Sequence, residues 1–447
     1  MRIAFLHNAL GKTDGVSLEV DKWREVLRRR GHEVFYIAGN ERDDILCIPE
    51  LSFYHPQTKK EIENATVALR DYKDGKELLE DINKSADIIK TQLFNIINEN
   101  KIELIIPNNL MSVGYHIAAL KAIYEIIEKT GIKTICHNHD FYFEDSGEVE
   151  PTCKEIEEIL ERMAPPDLPN VKNIVINEIA KDALLAKKNI CAKIVPNVFD
   201  FDMKAWTEDE YNQGFLEDFG IAKNDIVFLQ ATRVMDRKAI ELAIDLIGEL
   251  NKNKEKFIGK FLYNGKKTDN RSNIILLCAG IVENFGISSN YVDNLKKKAL
   301  DCNVDIRFIG DRVSHSRGMR DGRKVYSIWD SYVYADFVTY PSIWEGFGNQ
   351  FIEAVFAKLP IVAFEYPVYV SDLKGKGFDI VSLGDTYKKD NNLAYIDRSI
   401  LKCACSRVME MLIDKELTLK VVESNYNIAK ENFSFKALEG ILKGLGL

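Results

Sequence analysis

Short apolar runs alternate with amphipathic stretches along most of the chain, the pattern of strands covered on both faces by helices. Arg2-Ile-Ala-Phe-Leu6 predicts a first strand, Val16 to Arg30 a helix ended by Gly31, and Glu33-Val-Phe-Tyr-Ile37 a second strand. Strand, loop, helix, strand is one βαβ unit of a parallel sheet. The same alternation continues through strands at 102–107, 133–136, 173–177 and 193–196. Between them lie helices from Gly114 to Lys129, which would bury Ile117, Leu120, Ile123, Tyr124 and Ile127, and from Glu178 to Lys188. Residues 56–100 break the pattern: they are charged, helical and poor in strand signals. Such an excursion suits a lid, an acceptor wall or an oligomer contact.

Pro196-Asn-Val-Phe-Asp-Phe-Asp202 reads as a linker, and a second alternation follows. Its strands are expected at 225–231, 274–280, 305–310, 336–340 and 360–364, with a helix carrying Ile240, Ala243, Ile244 and Ile247 on one face. Residues 314–324 form a basic, glycine-containing loop suited to an anionic acceptor or, as expected here, mobile, and Met409 to Leu447 is helical with breaks. The fold class is therefore α/β, with one doubly wound domain at 1–196 and a second at 197–430.

Composition narrows the function. The 447 residues are 46% hydrophobic and 29% charged, with a net charge of -9, which argues against a broad nucleic-acid footprint. No uninterrupted apolar run of about 18 residues suggests a membrane span, and the N-terminus turns polar too soon for a signal peptide. Several of the eight cysteines sit in or beside apolar runs, so reduced, buried thiols in a cytoplasmic protein are expected. Cys403-Ala-Cys405 has no second Cys or His pair nearby at zinc spacing.

Candidate chemistry gathers at the carboxyl ends of the predicted strands, where open parallel sheets bind ligands. The first strand ends in His7-Asn-Ala-Leu-Gly-Lys-Thr-Asp-Gly15, which lacks a full Gly-x-Gly-x-x-Gly and could equally be an ordinary turn. His137-Asn-His139-Asp140 ends another strand; the pair could hold a metal, though no further ligand lies nearby, its imidazoles could meet a ligand hydroxyl or a developing charge, or they fix the loop. Arg233, Arg237 and Lys238 stand at a strand end and helix start, where they suit a diphosphate, with Arg237 expected at the surface. The longest signal is Tyr340-Pro-Ser-Ile-Trp-Glu345-Gly-Phe-Gly348-Asn-Gln-Phe-Ile-Glu353-Ala354. There, glycine amides and a helix N-terminus donate to oxygens and two carboxylates accept from hydroxyls.

The string Pro341-Ser-x-x-Glu345-Gly-Phe-Gly348-x-x-x-x-Glu353-Ala354 resembles the glutamate-pair motif of retaining GT-B glycosyltransferases, family 4. The resemblance implies two Rossmann-like domains with an interdomain cleft, and a final helix at 431–447 crossing back to the first domain. It implies that Glu353 binds the nucleotide ribose, that Glu345 with the amides of Gly346, Phe347 and Gly348 holds the donor sugar, and that Asn349 lies near the diphosphate. Arg233 and Lys238 match the family's Arg-x-x-x-x-Lys pair, which neutralises the leaving diphosphate; Ala239 stands where the family usually has Gly. His139 and Asp140 match its histidine–aspartate pair, with His137 as a substitute. Gly15 and Val16, with Lys12, match its N-terminal glycine loop, and Val313 its nucleobase contact. No metal and no cofactor are implied beyond a nucleotide-sugar of the UDP-glucose or GDP-mannose type; Asp200-Phe-Asp202 is read as a linker turn, not a metal pair. The acidic balance favours a soluble acceptor, such as a small sugar or phosphorylated glycoside. The His137-Asn-His139-Asp140-Phe-Tyr142 run resembles that of mannosylglucosyl-3-phosphoglycerate synthases. A phosphorylase of the same fold, using free phosphate, and a nucleotide-sugar-binding protein without turnover remain as alternatives.

Overall fold

The computed structural model describes residues 1–11, 14–144, 149–282 and 290–447. The chain divides into two compact units, Met1–Val198 with Phe435–Leu447, and Phe199–Ser434.

In the first unit the elements run β1 (Arg2–His7), α1 (Gly15–Arg29), β2 (Glu33–Ala38), β3 (Ile45–Cys47), α2 (Pro56–Thr66), α3 (Gly75–Glu99), β4 (Leu104–Pro107), α4 (Ile117–Thr130), β5 (Lys133–Asn138), α5 (Lys154–Met163), β6 (Val171–Val175), α6 (Glu178–Lys188) and β7 (Ala192–Ile194). The strands form one parallel sheet in the order β3-β2-β1-β4-β5-β6-β7. Successive side chains of a strand point to opposite faces, and here both faces are covered. Ile3 and Phe5 pack with α1 and the chain's last helix through Trp23, Val26, Leu438 and Leu442, while Ala4 and Leu6 pack with α3 and α4 through Ile82, Ile89, Ala119 and Ile123. The excursion at 56–100 is thus two helices, α2 and α3, whose apolar side closes one face of the sheet.

The second unit runs α7 (Phe215–Asp218), β8 (Ile226–Gln230), α8 (Ile240–Asn251), β9 (Ile274–Cys278), α9 (Tyr291–Asp301), β10 (Asp305–Phe308), β11 (Val313–Ser314), β12 (Gly318–Arg320), β13 (Arg323–Ser327), α10 (Ile328–Val333), β14 (Phe337–Tyr340), α11 (Asn349–Phe356), β15 (Ile361–Ala363), β16 (Val381–Ser382), β17 (Lys388–Asp390), β18 (Leu393–Tyr395), α12 (Arg398–Ile413) and α13 (Lys415–Phe433), before α14 (Phe435–Leu445) rejoins the first unit. Its main sheet has the order β10-β9-β8-β14-β15-β16, all parallel. In each unit the strand order reverses beside the first strand, between β1 and β4 and between β8 and β14. Ligands of doubly wound sheets bind outside the carboxyl ends at such a point. Among the described residues no helix is long and apolar enough to cross a membrane, and all eight cysteines are free.

The basic stretch at 314–324 contains the antiparallel β12–β13 hairpin, closed by Asp321-Gly322 with φ of 50° and 73°. Two consecutive positive φ values make the hairpin turn that Asp-Gly favours. Arg317, just ahead of the hairpin, is bonded to Asp209 at 2.7 Å and to Asp330 at 2.5 Å.

Where β8 and β9 end, the backbone is too close for any side chain. A Cβ on Gly280 would lie 1.9 Å from the carbonyl oxygen of Thr232. Gly280→Ala is therefore expected to cost more than about 2 kcal/mol in urea unfolding. Gly440, exposed within α14 with open space around its Cα, is the contrast: Gly440→Ala should gain up to about 1 kcal/mol. Equal effects at the two positions would contradict the packing at the strand ends.

Candidate active site

At the carboxyl edge of the second unit, β8 runs through Thr232 and Arg233 into a short 3-10 turn, Asp236–Lys238. Ala239 then takes a left-handed conformation (φ 45°, ψ 45°) before α8 begins, the conformation for which a glycine is the usual choice. The turn presents Lys238 inward, only 5% exposed at its side chain, against the carboxylate of Glu345, which is 9% exposed. Lys238 Nζ pairs with Glu345 Oε1, and Arg237 Nη1 pairs with Glu345 Oε2 at 3.1 Å. Arg237 also donates to the Trp344 carbonyl at 2.8 Å, and its own carbonyl accepts from Ile343 N at 3.0 Å. Arg237 is thus half-buried and not a surface residue: it staples the loop after β8 to the loop after β14. Arg233 lies exposed on the same edge, near enough to Lys238 to oppose its charge.

Burial pushes the Glu345 carboxyl up, but the Lys238 and Arg237 charges outweigh it and hold the group below its usual range. Burial likewise pulls Lys238 down, against the attraction of Glu345. Gly346 and Phe347 carry the chain to Gly348, whose φ of 117° caps α11. A Cβ there would meet the Tyr366 hydroxyl at 2.3 Å, and that hydroxyl bonds the Phe347 carbonyl at 2.7 Å. Asn349 opens the helix and Glu353 sits on it, accepting from Tyr332 Oη at 3.0 Å. Val313 is buried in β11, in the small β11-β13-β12 sheet.

The first unit places its predicted residues on its own carboxyl edge. His137 and His139 are buried, and their rings stack with centroids 4.2 Å apart; Trp23 of α1 packs on His137 at 4.8 Å. Neither His137 ring nitrogen has a protein partner, nor has His139 Nε2. Burial lowers both pKa values, that of His139 to about 3, so both rings are neutral. Asn109, in a left-handed conformation with φ 57°, organises the loop: its Oδ1 accepts from the amides of His139 and Asp140 at 2.7 and 3.3 Å, and its Nδ2 donates to Asp140 Oδ2 at 3.1 Å. His7, at the end of β1, reaches the Asn108 carbonyl at 2.9 Å. Gly15 opens α1, but the helix end is already capped by Asp14, whose carboxylate accepts from Ser17 N at 3.0 Å. Val16 lines a cavity beside it, and Lys12 lies outside the described residues. Among the described residues no three His, Cys, Asp or Glu side chains converge as a metal site.

Sequence reasoning named Arg237 but expected it at the surface, and gave no role to Asn109 or His7. Arg237 sits one position before Lys238, where a helix-start cation reads as solvated. Asn109 and His7 each follow or end a core strand, and that position was the only available signal.

The chain matches the family described as glycosyl transferases group 1 over residues 214–374, the stretch that carries Arg233, Lys238, Glu345 and Glu353. It is 36% identical over 440 residues to the mannosylglucosylglycerate synthase of Petrotoga mobilis, covering 98% of this chain and 99% of that one. To the mannosylglucosylglycerate synthase of Thermotoga maritima it is 38% identical over 445 residues, 99% of each chain. Its fold is similar to that of sucrose-phosphate synthase from Thermosynechococcus elongatus, with a TM-score of 0.59 at 12% identity over 100% and 98% of the two chains. The fold is GT-B, two Rossmann-like domains.

Two outcomes are expected of this edge chemistry. Glu345→Gln and Lys238→Met should each destabilise by about 2–4 kcal/mol, because each leaves a buried charge short of a partner, and the double variant should lose less than their sum. Additive losses in urea unfolding would mean that the pair is not coupled. For the histidines, a folded pKa below the unfolded one gives stability that is full above about 6.5 and lost as the pH falls. The loss is up to about 2 kcal/mol per ring by pH 5. His139→Gln should therefore lose less melting temperature between pH 7 and pH 5 than the parent chain, and an equal loss would refute the neutral, buried ring.

Proposed function

The chain belongs to the glycosyl transferases group 1 family and is a hexosyltransferase, and from that premise we propose that it moves mannose from a nucleoside diphosphate sugar to a small glucosylglycerate acceptor, with retention at the anomeric carbon. The observation that carries this reading is the end-to-end likeness to two mannosylglucosylglycerate synthases, at 36% and 38% identity. Between UDP-glucose and GDP-mannose, the latter fits the terminal sugar in that name. The acceptor is glucosylglycerate or its phosphorylated form. No metal or further cofactor is invoked, and the enzyme is read as soluble and cytoplasmic.

In this reading Arg233 and Lys238 meet the diphosphate and stabilise the charge that grows as it leaves. Lys238 can turn to phosphate because Arg237 keeps Glu345 compensated; a buried carboxylate with no cation would be costly. Glu353, held by Tyr332, takes the ribose, with Gly346, Phe347, Gly348 and Asn349 around the sugar and diphosphate. Val313 is kept as the nucleobase contact. His139, with His137 behind it and Asp140 beside it, offers a neutral imidazole to the sugar, next to Gly15 and Val16 at the start of α1. The acceptor hydroxyl attacks the face from which the diphosphate departs.

The test is a panel of GDP-mannose, UDP-glucose and ADP-glucose against glucosylglycerate and glucosyl-3-phosphoglycerate, with the product linkage read by NMR. The expected result is an α-mannoside from GDP-mannose, with turnover lowered at least a hundredfold in Glu353→Ala. A β-linked product would overturn retention, and release of sugar only in the presence of free phosphate would overturn nucleotide-sugar transfer.

A further inference from the structure

Two main-chain donors in the loop after β14 are unspent. Phe347 and Gly348 are buried, and among the described residues neither N–H makes a hydrogen bond. An unpaired N–H on a buried residue is rare, because leaving it unsatisfied costs about as much as losing a hydrogen bond. Gly348 has a φ of 117°, and a glycine offers little resistance to rotation of the peptide before it. An unspent donor on so free a peptide keeps its direction only if another group holds the peptide.

That group is Tyr366, which follows β15 and is wholly buried. Its Oη donates to the Phe347 carbonyl at 2.7 Å. The peptide joining Phe347 to Gly348 is trans, and across a planar trans peptide the C=O and the N–H point in opposite directions. With the carbonyl fixed on Tyr366, the Gly348 N–H is turned away from that hydroxyl. Only a glycine leaves room for the contact, since a Cβ would lie 2.3 Å from Tyr366 Oη and 3.3 Å from Tyr340 Oη.

Tyr366 is itself firmly placed. Its ring packs on Tyr340 at 5.8 Å and on Tyr369 at 6.0 Å. Its N–H donates to the Phe364 carbonyl at 3.0 Å, and its own carbonyl accepts from Val370 N at 3.1 Å, at the entry to a single π-helical turn, Tyr369–Leu373. Burial and the nearby Glu345 carboxylate both push the phenol's pKa up, so the hydroxyl remains a donor.

We infer that Tyr366 is a positioning residue of the transfer reaction: by holding the Phe347 carbonyl it aims the Gly348 N–H at an oxygen of the donor sugar, which Tyr366 itself does not touch. The inference rests on the donor reading of this loop given above, and extends it by naming the side chain that sets the loop's peptide plane. It also gives the loop after β15 a part in the chemistry.

Tyr366→Phe removes one oxygen and keeps the ring, so the packing around it is retained. Steady-state transfer from GDP-mannose to glucosylglycerate, with calorimetric titration of GDP into the same full chain, reads the effect. The kcat should fall at least tenfold while the dissociation constant for GDP stays within twofold of the parent's, because GDP carries no sugar for the amide to meet. A parental kcat would overturn the positioning role. So would a loss of GDP binding alongside kcat, which is what a hydroxyl that only supports the fold of this edge would give. Glu345→Gln in the same assay separates this inference from the reading beneath it. If Glu345→Gln loses turnover and Tyr366→Phe does not, the positioning role alone fails; if both keep parental turnover, the donor reading of the loop fails with it.

Discussion

One buried carboxylate holds the second unit's ligand edge together. Glu345 sits where the strand order reverses, and its two oxygens are divided between Lys238 and Arg237. Both cations come from the loop after β8 and the carboxylate comes from the loop after β14, so the triad fixes the spacing of the two loops that frame the switch point. One negative and two positive charges leave the triad with a surplus of one positive charge, with Lys238 and Glu345 buried and Arg237 half-buried. Such a surplus suits an anion, because the low local dielectric that makes an unpaired charge costly also makes a paired one firm.

The first unit's edge is built on the opposite principle. Its histidines are neutral, Asn109 is spent on loop geometry, and among the described residues Asp140 brings a negative charge. Asp14 already caps α1, which makes this helix start a poor seat for a second anion. The two edges therefore suit different partners, an anionic leaving group in the second unit and a hydroxyl-rich group in the first. That division fits a hexosyltransferase, while the excursion at 56–100 serves the core.

Much of this could be read from the residues. The alternating runs located the core strands of both sheets because buried parallel strands are continuously apolar, and the Glu345–Glu353 string stood out because glycines, acids and a helix start coincide in it. Short edge strands such as β3 and β16 carry too few residues to set a period. The β12–β13 hairpin was hidden because its strands are basic and exposed; only the Asp321-Gly322 pair marked the turn. Arg237 was misjudged for a different reason. Its burial depends on Trp344 and Glu345, more than a hundred positions away, and no local pattern reports a partner at that distance. The neutrality of His137 and His139 likewise comes first from burial under Trp23 and the sheet around them, which their sequence does not report.

Donor binding, in this view, has Lys238 exchange Glu345 for a diphosphate while Arg237 keeps the carboxylate. A crystal structure of the chain with GDP bound tests that exchange most directly. The expected result is Lys238 Nζ within hydrogen-bond distance of a phosphate oxygen, with Arg237 still on Glu345. A diphosphate bound away from Lys238, with the Lys238–Glu345 pair unchanged, would contradict it.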